Sequence, residues 1–478
     1  MVSASESVGR TISGGGEAER ARIRPRFASR PPETTVAPRG PVRWRRRFRV
    51  AAIAFGLFAL TGCVPEVPAA GVVATESPSG AGSAPGAGAP SPGASDSGTG
   101  TTPPPAATGT PAPVFTRHRA TFPAPTREER IRSFAEERLA SMTLEQKIAS
   151  LFMVHVAGAD PVALQSYLAG NAPGGLLLLG DNVPGSAEEA AALTATLQSG
   201  DGLGTLIAID EEGGIVARLG ADTFAAADTL KSEPVQATTD AFTQRADLLQ
   251  STGMTVNFGV IADVTADPSS FIYERVLGTD AAAASERVAA AVEAENGKVY
   301  STLKHFPGHG AASGDSHTSL PATDLPFAQW QAEDAPPFQA GIDAGAPIVM
   351  FGHLVYRAVD SAPASLSPAW HQVLREQLGF DGVVVTDDLL MLEASGVPEY
   401  ADRTANAIAA INAGNDLLLY NTQLDLPAMT AAMVAAVQGG LISEQTIDDA
   451  ALRDLSLRRD LWLRQHPVPV VPAPAPAR

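Results

Sequence analysis

The fourteen residues "KHFPGHGAASGDSH" at 304–317 hold three histidines, one lysine and one aspartate among three glycines. Side chains of these types at this density fit a metal site, an acid/base site, or a loop whose imidazoles only satisfy local hydrogen bonds. His305, His309, Asp315, His317 and His353 could supply nitrogen and oxygen ligands. None has a tight ligand spacing such as H-x-H or H-E-x-x-H, so no metal and no other cofactor is expected. The plain-loop reading leaves the concentration of ionisable groups without a cause. Acid/base chemistry fits better. In "DSH", Asp315 stands two residues from His317, close enough in a turn to orient the imidazole and stabilise its charged form. Asp387, at the end of "GVVVTDD", is placed to act as a buried carboxylate nucleophile. Retaining cleavage of a glycoside needs such a pair, a nucleophile and a proton donor on opposite sides of the bond, although histidine is an unusual donor.

Groups so far apart in sequence need a scaffold that brings them together. Short apolar runs recur along the chain: "LFMVHV" from 151, "GGLLLLG" from 174, "TLIAID" from 205, "TVNFGV" from 255, "YSTLKHF" from 300, "PIVMFGH" from 347, "GVVVTDD" from 382 and "DLLLY" from 416. They lack polar alternation, as strands buried on both faces do, and stretches such as "SAEEAAALTATLQ" and "ERVAAAVEAENG" between them have helical composition. The expected fold is α/β, a single (β/α)8 TIM-type barrel; a doubly wound open sheet is the alternative, since periodicity does not show closure. Asp210, Asp263, Lys304, His305, His353, Asp387, Asp388 and Asn421 all fall at or just after carboxyl ends of these runs. In a closed parallel barrel those ends converge on one face, where barrel enzymes carry their chemistry.

Composition divides the rest of the 478 residues. Residues 1–62 hold twelve arginines, no lysine and four glutamates, a net charge of +8, whereas everything after them is net −26. A surface that acidic offers no footprint for a phosphate backbone, so no nucleic-acid partner is expected. "RWRRRFR" at 43–49 precedes an apolar run too short to span a bilayer comfortably, ending at the only cysteine, Cys63. "LTGC" resembles the bacterial lipobox, which implies a signal region over 1–62 and lipid attachment at Cys63, with a plain membrane anchor as the alternative. Residues 63–125, rich in Pro, Gly, Ala, Ser and Thr, are expected to be a disordered tether, and 467–478 a disordered Pro-rich tail. The folded part is expected over 126–466. It should lie outside the cytoplasm, anchored to the outer face of the cell membrane.

Over roughly residues 140–430 the chain resembles the β-N-acetylglucosaminidase (β-N-acetylhexosaminidase) branch of family-three glycoside hydrolases. The resemblance rests on "AIDEEGGIVARL" (208–219), "VNFGVIADV" (256–264), "YERVLGTD" (273–280), "KHFPGHGAASGDSH" (304–317), "GFDGVVVTDDLLM" (379–391) and "NAGNDLLLYN" (412–421). It implies that Asp387 is the nucleophile and that His317, paired with Asp315 on a mobile loop, is the general acid/base. It further implies that Asp210, Arg275, Lys304 and His305 hold the terminal sugar, with Asp263 and His353 either touching it or supporting those that do. Two-domain relatives take their acid from a later domain; here only about 45 residues lie between "LLLYN" and the Pro-rich tail, so the donor is expected on the barrel's own loops. Two departures stand out: Ile215 occupies a position where the family usually has arginine, with Arg218 in place, and Glu211 stands where glutamine is common.

The expected activity is exo-acting retaining hydrolysis of terminal β-linked N-acetylglucosamine from bacterial glycans such as peptidoglycan fragments, or from chitin oligosaccharides. Phosphorolysis by the same residues is the nearest alternative, because a histidine acid/base does not repel incoming phosphate as a carboxylate would. A non-catalytic glycan-binding lipoprotein is the alternative from another class.

Overall fold

Eight parallel strands form the centre of the computed structural model, which describes residues 125–467. They are β1 (Phe152–His155), β2 (Gly175–Leu178), β3 (Leu206–Ile209), β4 (Val256–Ile261), β5 (Tyr300–Phe306), β6 (Ile348–Phe351), β7 (Val383–Thr386) and β8 (Leu418–Tyr420). Every position in them is buried, which is why the apolar runs show no alternation. The signal region, Cys63 and nearly all of the tether and tail expected from the sequence lie outside the described residues.

Strands adjacent in the chain are adjacent in space, and β8 pairs with β1. The ring closes where Val385 of β7 bridges Leu417 in parallel, with Thr386 N–H donating to Leu417 O at 3.1 Å and Leu417 N–H to Val384 O at 3.0 Å. Closure sets the open doubly wound sheet aside. Side chains alternate along each strand. Met153, Leu177, Leu206, Val256, Ile348, Val383 and Leu419 point into one inner cluster, while Phe152, Leu176 and Ile207 join a second cluster with the surrounding helices.

Local sequence starts many of those helices. Asp160 with Pro161, Ser186, Asp280, Asp402, Asp425 and Ser443 each place a side-chain oxygen on a free backbone N–H of the first turn. The helix expected around 186–198 is Ala187–Thr196, and that around 286–297 belongs to Ala281–Glu295. The helix Glu444–Gln465 crosses the amino-terminal end of the barrel: Leu461 enters the inner cluster and Tyr300 donates to Asp460 Oδ2 at 2.8 Å.

Asp416 ties the closing strands to this outer layer. Its fully buried carboxylate accepts from Val384 N–H at 2.8 Å, Arg375 at 2.9 Å and Arg453 at 2.8 Å. Asp416→Ala is expected to cost about 3 kcal/mol of stability, since a buried N–H and two guanidinium groups lose their acceptor. Urea unfolding measures the loss, and a change below about 0.5 kcal/mol would show that the closure does not rely on this carboxylate.

Candidate active site

The carboxyl ends of the strands surround a cavity of ≈ 160 Å³. Leu177, Met350 and Leu419, the last inner layer of the barrel, form its apolar floor, and Asp210, Glu212, Arg218, Arg275, Lys304, His305, His317, Asp387, Asp388 and Asn421 contribute its polar lining. A larger cavity of ≈ 600 Å³ lies at the opposite end, between helices Arg127–Ser141 and Glu444–Gln465. It contains none of the strand-end acids and histidines grouped above.

Lys304 is the centre of the polar set. Its ammonium is 3% exposed and lies 2.7 Å from both Asp210 Oδ1 and Glu212 Oε1. Glu212 also takes two hydrogen bonds from Arg275, at 2.8 and 2.7 Å. Burial alone would raise the Glu212 carboxyl, but Lys304 and Arg275 outweigh it and hold the pKa at about 2. Burial opposes the charge on Lys304 as well, yet Asp210 and Glu212 raise its pKa above the ordinary value. Arg275 sits in the connection after β4, which Ile272 and Val276 pin against Ile261 in a small apolar cluster.

Behind this set stands Asp263, fully buried, which accepts from His305 N–H at 3.0 Å and His309 N–H at 2.6 Å and faces His305 Nδ1 at 2.7 Å. Burial pushes this carboxyl up, but His305 and then His309 bring it down to about 2. With Nδ1–H donating to Asp263, His305 Nε2 is left to accept from Arg275 at 3.3 Å. His353 is likewise behind the cavity: one ring nitrogen meets Ser365 Oγ at 2.7 Å and the other meets Asp388 O at 2.9 Å. Asp263 and His353 thus lie behind the cavity and are not part of its lining.

Asp387 follows β7 directly, with its N–H donating to Phe351 O at 2.8 Å and one carboxylate oxygen accepting from Asp388 N–H at 2.8 Å. Burial works against its ionisation, but His305, His353, the Asp388 N–H and Lys304 together hold the carboxyl below the usual range. The neighbouring Asp388 is pushed the other way, to about 7, chiefly by burial. The two adjacent carboxyls are thus shifted in opposite directions, Asp387 toward the ionised form and Asp388 toward the protonated one.

His317 reaches the same cavity from the loop after β5. Its Nδ1 lies 2.7 Å from Asp315 Oδ1, and its backbone N–H donates to the same oxygen at 3.0 Å. The dyad is solvent-facing, the His317 side chain being 63% exposed. Gly310 is needed where this loop leaves the barrel, because a Cβ there would stand 1.7 Å from Val264 O.

The structure thus gathers Asp210, Arg275, Lys304, His305, His317 and Asp387 around one space, with Asp315 holding His317 from the side. Sequence reasoning missed Glu212, whose only signal was a second acid after Asp210. Glu211, beside it, turns inward and accepts from Arg218 N–H and Leu219 N–H at 3.0 and 3.1 Å. Burial pushes that carboxyl up to about 7. Ile215 is 66% exposed at the tip of the turn closed by the Gly213–Val216 bridge. Among the described residues, no three or more His, Cys, Asp or Glu side chains are grouped as metal donors.

Residues 143–457 match the family model described as the glycosyl hydrolase family 3 N terminal domain. A β-hexosaminidase of Xanthomonas oryzae pv. oryzae is 33% identical over 302 residues, 60% of this chain and 87% of the relative. The β-hexosaminidase LpqI of Mycobacterium tuberculosis is 30% identical over 334 residues, 67% of this chain and 84% of the relative. The solved structure of M. tuberculosis LpqI superimposes with a TM-score of 0.62 at 28% identity, covering 68% of this chain and 96% of that one. A family 3 β-N-acetylglucosaminidase structure from Paenibacillus sp. gives 0.62 at 29% identity, covering 70% and 65%.

The lowered pKa of Glu212 makes a pH-dependent prediction. Its ion pairs contribute stability that is fully present above its ordinary value of 4.5 and is lost as pH falls toward about 2. Glu212→Gln should therefore be less stable than the parent by about 3 kcal/mol at pH 7, with the gap closing by pH 2. Urea midpoints across that range test this. A gap independent of pH would mean that the carboxylate charge is not what Lys304 and Arg275 require.

Proposed function

Because this chain belongs to glycosyl hydrolase family 3, we propose that it is an exo-acting β-N-acetylglucosaminidase that retains anomeric configuration, with Asp387 as nucleophile and His317 as acid/base. The observation that carries this reading is the single cavity shared by a half-buried aspartate, whose carboxyl its neighbours hold below the usual range, and an exposed histidine held by its own aspartate. Leu177, Met350 and Leu419 end the cavity at the barrel interior, a shape suited to the terminal residue of a glycan. Asp210, Lys304, Arg275 and His305 supply donors and acceptors for its hydroxyls and acetamido group.

The geometry suits a double displacement. An Asp387 oxygen bonds to the anomeric carbon as the glycosidic C–O bond breaks, and His317 Nε2–H gives its proton to the leaving oxygen. Asp315, bonded to Nδ1, stabilises the imidazolium before this transfer and fixes the ring orientation. The neutral imidazole then takes a proton from water, whose oxygen bonds to the anomeric carbon as the ester to Asp387 breaks. Uncharged at this stage, His317 does not repel an anion, so phosphate in place of water is the alternative second step. Peptidoglycan fragments, other bacterial glycans and chitin oligosaccharides are the proposed substrates.

The placement proposed for the enzyme is outside the cytoplasm, tethered by lipid on Cys63. Its support is the arginine-rich segment, the apolar run and "LTGC" in the sequence. Cys63→Ser should move the protein from the membrane fraction to the soluble one; continued membrane association would instead mark the apolar run as an uncleaved anchor.

Activity is tested with an aryl β-N-acetylglucosaminide, with and without phosphate. Asp387→Ala should lower turnover on the order of 10³-fold or more while the unfolding transition remains. His317→Ala should slow a poor leaving group such as a second sugar by about 100-fold or more, and an activated aryl group far less. Near-normal turnover by Asp387→Ala would reject the nucleophile. A rate that rises with phosphate and yields sugar 1-phosphate would replace hydrolysis by phosphorolysis.

A further inference from the structure

The loop that carries Asp315 and His317 is largely exposed between Ser313 and Ser319, with one exception. Ser316, between the two members of the dyad, is only 3% exposed, and its Oγ lies 3.1 Å from Nε2 of His309, which is 1% exposed. Whatever fixes Ser316 also fixes the residues on either side of it.

His309 is itself firmly held. Its N–H donates at 2.6 Å to Asp263 Oδ1, the oxygen that also accepts from His305 N–H, and its carbonyl accepts from Ala312 N–H at 3.1 Å. The ring meets Phe271 edge-on with centroids 4.5 Å apart, and Phe271 in turn faces the His317 ring at 6.2 Å. His309 thus connects to the dyad by a polar route through Ser316 and an apolar route through Phe271. His309 Nδ1 has no partner among the described residues, so a ring proton on Nε2 is used by Ser316 whereas one on Nδ1 would be buried without an acceptor. Burial drives the pKa of this histidine down to about 4, which leaves one ring proton at neutral pH.

The other flank of the loop has little to lean on. A crevice of ≈ 310 Å³ lies between residues 310–315 and the segment 265–271, and groups facing such a space lose the dispersion contacts that packing would give. The bridge Ser313–Ala322 ties the main chain on one side of the dyad but does not hold Ser316.

We propose that His309 is a positioning residue for proton transfer: by bonding Ser316 it sets where the Asp315–His317 dyad stands over the cavity, while its backbone shares Asp263 with the sugar-facing His305. It touches no reacting atom. The inference rests on the reading of His317 as the acid/base.

The test compares the parent with His309→Ala, His309→Gln and Ser316→Ala, all as full chains. Diacetylchitobiose serves as a substrate with a poor leaving group and a dinitrophenyl β-N-acetylglucosaminide as one with a good leaving group. His309→Ala should lower kcat/KM on diacetylchitobiose by roughly 10- to 100-fold. On the dinitrophenyl substrate kcat/KM should change by less than about 3-fold, and inhibition by free N-acetylglucosamine should not change. Ser316→Ala should show the same pattern in smaller degree, and His309→Gln, whose amide N–H can reach Ser316, should recover much of the loss. Equal losses on both substrates with weaker sugar inhibition, or no loss on either, would overturn the proposal.

A readout independent of turnover accompanies the kinetics. Amide hydrogen exchange over residues 310–318 should quicken in His309→Ala while Tyr300–Phe306 stays protected, and unchanged loop exchange would also overturn the proposal. Should the parent turn over neither substrate, the hydrolase reading fails, and loop exchange still decides whether His309 holds the loop. If His309→Ala loses its unfolding transition, Ser316→Ala decides by the same substrate pattern and exchange.

Discussion

An ammonium group buried at the mouth of a barrel must be met by carboxylates, because its hydration is lost and nothing else replaces it at similar strength. Lys304 is met by Asp210 and Glu212. Glu212 then balances Arg275, Arg275 donates to His305, and His305 and His309 are both fixed by Asp263. One continuous set of charge-assisted bonds therefore links the ends of β3, β4 and β5, and each member restricts the next. The cavity-lining groups owe their geometry to this balance as much as to the strands that carry them.

The two proposed catalytic groups are supported in different ways. Asp387 extends a fully buried strand, held by Phe351 on one side and Asp388 on the other, so its position is set by the barrel itself. His317 stands on an exposed loop, with its ring bonded to Asp315 and its neighbour Ser316 bonded to His309. A nucleophile that must stay ionised gains from fixed positive neighbours, whereas a group that exchanges protons with leaving oxygen and water gains from access to solvent. Both needs are met because one residue lies at a strand end and the other beyond it.

Much of this was legible in the sequence. The apolar runs marked all eight strands, and the polar residues after them marked the face that carries the site. The placement of Asp263 and His353 was not legible, since a strand-end acid or histidine can point into the cavity or behind it; both point behind, toward His305 and the Asp388 carbonyl. Glu211 and Glu212 were indistinguishable as neighbouring identical residues. The turn at Gly213–Val216 sends one carboxylate to the Arg218 and Leu219 amides and leaves the other to Lys304 and Arg275.

By itself, then, the sequence determined the strand and helix pattern, the carboxyl-end placement of the acids and histidines, and the Asp315–His317 pair. These depend on apolar runs, capping residues and turns, whose physics acts over a few neighbouring residues. Only the tertiary structure decided the closure of β7 on β8, the sharing of Glu212 between Lys304 and Arg275, and the bond from His309 to Ser316 in the loop of Asp315 and His317. Closure and charge sharing join residues many positions apart, and the last depends on a loop path that the barrel's strands and their connections impose.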